Sequence, residues 1–221
     1  MLIDMTHTIT PEIPVYPGDP APTLTKGHTL TADGCRTTLL SLCSHTGTHM
    51  DAPSHLLRDG RNLDEMPMSQ FSGRATTLDV SDLGPVITAE FLRAHHDDIY
   101  CADYVLFYTG WESRWGTERY LEDAFPVPDE EAAHYLVSCG LKGVGTDALS
   151  IDRLVGPQTV HTVLMKADAV ILESLCLEKV RDRKDFLFFA LPMKLQNADG
   201  APIRAFAELR EKYEQERRRQ R

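Results

Sequence analysis

No apolar stretch of this chain approaches the length that crosses a bilayer, so no membrane-spanning helix is expected. The opening residues, MLIDMTHTIT, lack the basic flank and apolar run of a secretory signal, and the expected location is the cytoplasm. Cysteine is scarce and wrongly spaced for structural use. Cys35, Cys43, Cys101, Cys139 and Cys176 are odd in number and contain no C-x-x-C pair, which fits neither a disulfide framework nor a zinc ribbon. Positive charge is in deficit, 23 Lys and Arg against 33 Asp and Glu, which argues against a nucleic-acid partner, since phosphates demand a basic face. Repeats and low-complexity linkers are also missing. That leaves one continuous domain over residues 1–221, long enough to bury a substantial core.

What the chain does contain is a mixture of strand-like and helix-like segments. "LIDMTH" reads as a short opening strand. The proline-rich "PEIPVYPGDPAP" cannot be helical and is expected as an ordered loop, because Val15 and Tyr16 are poor residues to leave in water. The runs "TTLLSLCS", "ATTLDV", "YVLFYTG", "AVILES" and "DFLFFAL" read as strands. "TAEFLRAHH", "DEEAAHYLVSC" and "PQTVHTVLMKA" read as helices, the second with acids in its first turn and the third opened by Pro157. The combination indicates an α/β class. The terminal "ELREKYEQERRRQR" reads as a solvated helix that frays.

The densest chemistry lies in "CSHTGTHMDAPSHL", where His45, His49, Asp51 and His55 fall close together. Gly47 and Pro53 disfavour a helix there. On an extended chain, His45, His49 and Asp51 share parity and project to one side, carried out of a buried sheet by "TTLLSLCS". Imidazoles with a carboxylate are ligands for a divalent ion that keep positions open for water. A chance cluster on a wet loop is the bland alternative, and the spacing favours metal. Two later residues are candidates from other segments: His161 in "QTVHTVLMKA" and Glu173 at the end of "AVILE". Alone, each reads equally as a helix-surface histidine or a strand-end carboxylate in water.

"HTGTHMDAPSH" resembles the H-x-G-T-H-x-D-A-P-x-H signature of the metal-dependent cyclase-like hydrolases, the family of bacterial kynurenine formamidase and isatin hydrolase. "PVYPGDP" is similar to the family's P-V-W-P-G-D, "YTGW" to its T-G-W, "GVGTDALSID" to its G-x-D-x-x-S-x-D, and "DGAPIRAFA" to its closing D-G-A-P-V-R-A. The resemblance implies a swivelling β/β/α domain with a mixed central sheet and flanking helices. It implies a homodimer or higher assembly with the active site near the subunit interface. It also implies that His45, His49 and Asp51 bind a first ion, that Asp51 bridges to a second, that His161 and Glu173 complete the set, and that His55 is the catalytic histidine. The implied cofactor is Zn²⁺ or Mn²⁺, one to two per chain. Tyr16 departs from the tryptophan of kynurenine formamidase; it keeps an aromatic face but is smaller and adds a hydroxyl.

Asp147, Ser150 and Asp152 are read either as groups that orient imidazoles or as helix caps before "RLVG". Tyr16 and Trp111 are candidates for gripping a flat small-molecule substrate, Trp111 equally a core residue. The expected reaction is attack of a metal-activated water on an amide or lactam carbonyl, in an arylformamide such as N-formylkynurenine or a cyclic amide such as isatin. His55 would act as general acid and base. A lyase or cyclase of the same family is the alternative. A non-catalytic metal-binding domain is disfavoured, because His55 is present beside the ligands.

Overall fold

A computed structural model describes residues 1–209. Twelve strands form, β1 (Leu2–Asp4), β2 (Thr23–Lys26), β3 (Thr38–Ser41), β4 (His49–Asp51), β5 (Ser72–Asp79), β6 (Val86–Ile87), β7 (Tyr104–Tyr108), β8 (Val127–Pro128), β9 (Gly143–Thr146), β10 (Val170–Glu173), β11 (Phe186–Pro192) and β12 (Gly200–Glu208). Five short helices join them, α1 (Leu30–Asp33), α2 (Ala89–Ala94), α3 (His96–Tyr100), α4 (Glu130–Ser138) and α5 (Thr159–Lys166). The class is mixed α/β, as expected.

The main sheet runs β1-β12-β11-β5-β7-β9-β10-β4, and β4 also pairs with β12. Seven strands therefore close on themselves, with β1 added at the far end of β12. Strands β5, β7, β9 and β10 are parallel, which requires crossovers, and the helices supply them. The remaining pairings in this sheet are antiparallel.

Side-chain alternation divides the core in two. Met50, Leu106, Leu172, Phe188 and Ala205 pack on the enclosed face. Val105, Phe107, Val144 and Ile171 face outward beneath Leu136 of α4 and Leu164 of α5. Strand β9 can run between its neighbours because Gly143 and Gly145 fill the enclosed side. A Cβ on Gly143 would come within 2.9 Å of the Tyr104 ring, and one on Gly145 within 2.8 Å of Leu106. Its period-2 pattern is thus written in glycine and valine, which hides it from a search for apolar runs.

Three expectations are corrected. "TTLLSLCS" is not a buried strand leading into the histidines. Among the described residues, strand β3 pairs only with β2 and no layer covers it, and Leu39 and Leu40 remain 63% and 60% exposed. "TAEFLRAHH" is interrupted: α2 stops at Ala94, where His95 leaves helical geometry and its Nδ1 bonds to the Phe91 carbonyl. Pro157 lies outside α5, which starts at Thr159 after Gln158. Most of the terminal helix expected over 208–221 lies outside the described residues. The five cysteines are free, and no helix among the described residues is long and apolar enough to cross a membrane.

Candidate metal centre

Three parts of the chain meet at one end of the closed sheet. Strand β4 pairs antiparallel with β10 so that His49 lies opposite Glu173. Met50 and Leu172 point into the enclosed core, so His49, Asp51 and Glu173 point the other way, toward α5 and His161. Parity explains only part of this. His49 and Asp51 share a strand face, but His45 reaches the site from a turn. Gly47 makes that turn at φ 65°, with Ile9 and Ile13 packed against it.

Two imidazoles are locked from behind. His49 Nδ1 meets the Gly47 carbonyl at 2.8 Å; a carbonyl can only accept, so Nδ1 donates. His161 Nδ1 meets Asp152 Oδ2 at 2.8 Å. Both rings therefore turn Nε2 toward the carboxylates. His49 Nε2 is 3.2 Å from Asp51 and 3.5 Å from Glu173, and His161 Nε2 is 3.6 Å from Asp51 and 3.3 Å from Glu173. His45 Nδ1 lies 2.7 Å from Asp51 Oδ1.

Burial works against charging His49, but the Asp51 and Glu173 carboxylates outweigh it and push the ring up to about 10. His161 rises against the same burial, drawn by Asp152, Asp51 and Glu173. Burial opposes ionisation of Asp51, yet bonds from His161, His45 and His49 hold it well below the carboxylate range. This donor chemistry fits a divalent cation. His45, His49 and Asp51 form one set whose ligand atoms lie within 4.8 Å of each other, and Asp51, His161 and Glu173 form another.

Asp152 faces an imidazole, and no helix begins at "RLVG" for it to cap. Its carboxylate orients His161 and accepts the backbone N–H groups of Val160 and His161 at the start of α5. Ser150 steadies it by accepting the Asp152 N–H. Asp147 does something else and touches no imidazole. Burial pushes its pKa up to about 7, and it accepts N–H and O–H of Thr109 and the N–H of Glu112, tying down the "YTGW" turn.

Trp111 is buried in a core cluster, the second of the two readings its sequence left open. Its indole N–H donates to the Tyr120 carbonyl, Phe125 packs on its edge, and the Arg114 guanidinium covers its ring at 3.6 Å. Tyr16 lies on the margin of the same cluster, half-buried, with its hydroxyl donating to the Leu154 carbonyl.

His55 sits in a single 3₁₀ turn, Pro53–His55, after the chain bends at Ala52-Pro53. Its ring centroid is 4.1 Å from that of His45 and 6.4 Å from that of His161; it stands outside the two triads that share Asp51 and forms with His45 and Asp199 a third, partly exposed set whose ligand atoms lie within 4.8 Å. Burial lowers its pKa. Sequence reasoning missed Asp199, whose Oδ2 is 3.1 Å from His45 Nε2 and 3.6 Å from His55 Nδ1. The available signal was the "DGAPIRAFA" motif, which begins on this residue.

The family model described as "Putative cyclase" matches residues 3–153. A kynurenine formamidase of Salinibacter ruber is 34% identical over 207 residues, covering 92% of this chain and 95% of that protein. Isatin hydrolase A from Labrenzia aggregata, solved with benzyl benzoate, is 26% identical with a TM-score of 0.85, covering 96% of this chain and 94% of its own. A structure described as a potential metal-dependent hydrolase with cyclase activity is 31% identical with a TM-score of 0.77, covering 96% of this chain and 98% of its own.

Proposed function

Since the chain belongs to the cyclase family, we propose that it is a metal-dependent amide hydrolase. Its substrate class is a small arylformamide such as N-formylkynurenine, or a related cyclic amide such as isatin. The observation that carries this reading is the sharing of Asp51 between two donor triads, one buried and one partly so, with a fourth, more accessible histidine, His55, beside them. His45, His49 and Asp51 would hold one ion, and Asp51, His161 and Glu173 a second. Imidazole and carboxylate donors suit Zn²⁺ and Mn²⁺ alike.

A bound ion supplies water acidified to a pKa of roughly 7 and polarises the substrate carbonyl. The protein groups do the rest. Asp51 and Glu173 offset the cation's charge, while the Gly47 carbonyl and Asp152 hold His49 and His161 in orientation. His55 accepts a proton from the attacking water and returns it to the departing nitrogen, which is a poor anion. Tyr16 contributes an aromatic edge for a flat substrate. The family reading also carries a swivelling-domain description, a cytoplasmic location and assembly as a homodimer or larger.

The test combines elemental analysis of protein purified without chelator with a substrate panel. About one to two equivalents of zinc or manganese per chain are expected. Formate release from N-formylkynurenine, or ring opening of isatin, supports the hydrolase. A product that has lost water would replace it with a lyase or cyclase, the reading favoured by the relative described with cyclase activity. Metal-free protein, inactive after metal is added, would refute both. Light scattering tests assembly, and a fully active monomer would overturn it.

A further inference from the structure

We infer that Asp199 is a positioning residue, a carboxylate that holds the His55 ring with Nδ1 turned toward it and Nε2 left for the substrate. This rests on the reading of His55 as the proton-transferring group.

The geometry begins in the backbone. The Ala52 N–H donates to the Asp199 carbonyl at 2.8 Å, and the Ala52 carbonyl accepts the His55 N–H at 3.0 Å. Both residues therefore hang from the backbone of one residue, Ala52, directly after Asp51. Their relative placement is set by two short bonds rather than by side-chain packing. Gly200 then lets His45 approach. A Cβ there would stand 2.7 Å from His45 Cε1 and 2.9 Å from its Nε2, so glycine allows this ring to approach the start of β12. The result brings His45 Nε2 to 3.1 Å and His55 Nδ1 to 3.6 Å from the same oxygen, Asp199 Oδ2. One carboxylate thus spans a ring of the proposed ligand set and the ring proposed to move protons. Among the described residues, no protein group takes up His55 Nε2. At 3.6 Å the Asp199 carboxylate is an ion-pair contact for His55 Nδ1 rather than a hydrogen bond; its charge favours the proton on that nitrogen and leaves the Nε2 lone pair for the reacting molecule.

The test uses the full-length, zinc-loaded protein and three readouts: metal content, kcat with KM, and the His55 tautomer from long-range ¹H–¹⁵N spectra, assigned by loss of its signals in His55→Ala. Asp199→Ala is expected to keep its metal and to lose about 10–100-fold in kcat with KM within about twofold. Its His55 signals should move from a single tautomer to a mixture. Asp199→Asn has the same shape and keeps one acceptor oxygen; it should fall between the two and serves if the alanine variant does not fold. Wild-type kcat in these variants, or an unchanged His55 tautomer, overturns the inference. So does loss of metal to the extent seen in His45→Ala, because Asp199 would then act on the ion rather than on His55. If the wild-type enzyme hydrolysed no amide, the functional reading would fail while the tautomer measurement still tested Asp199.

Discussion

The cluster at the end of the closed sheet has two halves that differ in nearly every physical respect. In the inner half, the side chains of His49, Asp51, His161 and Glu173 are 1–7% exposed, and each imidazole has its back nitrogen fixed. In the outer half, His45, His55 and Asp199 are 17%, 28% and 47% exposed, and the nearest anion to His55 is a 3.6 Å contact. Titration follows the facing carboxylates rather than this line. They pull His49 up to about 10 and raise His45, whereas burial pulls His55 down. Neighbouring groups pushed in opposite directions suit different tasks. The inner half is rigid, desolvated and anionic, which suits holding a cation. In the outer half His55 is the more accessible imidazole, which suits proton transfer, while His45 beside it faces Asp51.

The largest effect should come from breaking the inner half at its centre. Asp51→Ala removes the carboxylate common to both triads. It should lose most of its zinc or manganese, measured by elemental analysis, and essentially all activity. Full metal content in this variant would mean that the inner half is an ion-pair network rather than a metal site. Protons compete with the cation for His49 and His161, whose pKa values are raised, so metal uptake at neutral pH should release protons and affinity should weaken as pH falls.

The division between halves is sharpened by comparing three histidines. His55→Ala should keep metal and fold while kcat drops about 10²–10⁴-fold, the range for a lost general acid–base group. His49→Ala and His45→Ala should lose metal affinity first, His49 more completely because it faces both carboxylates. Metal content and kcat measured together, with excess metal added back, decide the matter. Rescue of His55→Ala by added metal would make it a ligand and erase the distinction.

How far this site could be read from sequence follows the same division. The inner residues were legible in two ways: His49 and Asp51 belong to a compact signature, whereas His161 and Glu173, at a helix and a strand end, were singled out by the family resemblance. The position of His45 was legible but its path was not: parity predicted a strand, and Gly47 makes a turn. Asp199 was hidden because an Asp-Gly pair reads as an ordinary turn, and its partners at Ala52 and His55 lie about 145 residues earlier in the chain. Closure of β12 onto β4 is equally non-local, with Gly200 opposite Asp51. The exposed β2–β3 ribbon shows the converse failure, since "TTLLSLCS" has every local mark of a buried strand and no layer to bury it. Local pattern reports propensity, and tertiary pairing decides burial.

A smaller effect is expected at the margin of the outer half. Tyr16→Ala should raise KM without changing metal content, since the ring borders the aromatic cluster and the hydroxyl is already committed to Leu154. Tyr16→Phe should change KM little. An unchanged KM in the alanine variant for every substrate turned over would remove Tyr16 from the binding surface.

The smallest effect concerns His7, a third kind of imidazole that acts as a control for the other two. Its backbone N–H donates to Thr48, next to His49, and its ring stacks on Trp115 at 3.8 Å, but its buried Nε2 has no hydrogen-bond partner. Burial with no facing carboxylate pushes it down to about 4, the opposite of His49. The unfolded chain binds this proton below a pH of about 6.5, while the folded chain resists it until about 4. The contribution is therefore present above the unfolded value and lost as pH falls through the folded one. For His49 the sign reverses, and the contribution fades only as pH rises toward about 10. His7→Phe keeps an aromatic ring for the stack and removes the titrating group. Between pH 7 and 4.5 its urea midpoint should fall less steeply than that of the wild-type protein. Parallel curves would show that His7 is charged in the folded state, and the contrast between imidazoles with and without carboxylate partners would fail at its simplest case.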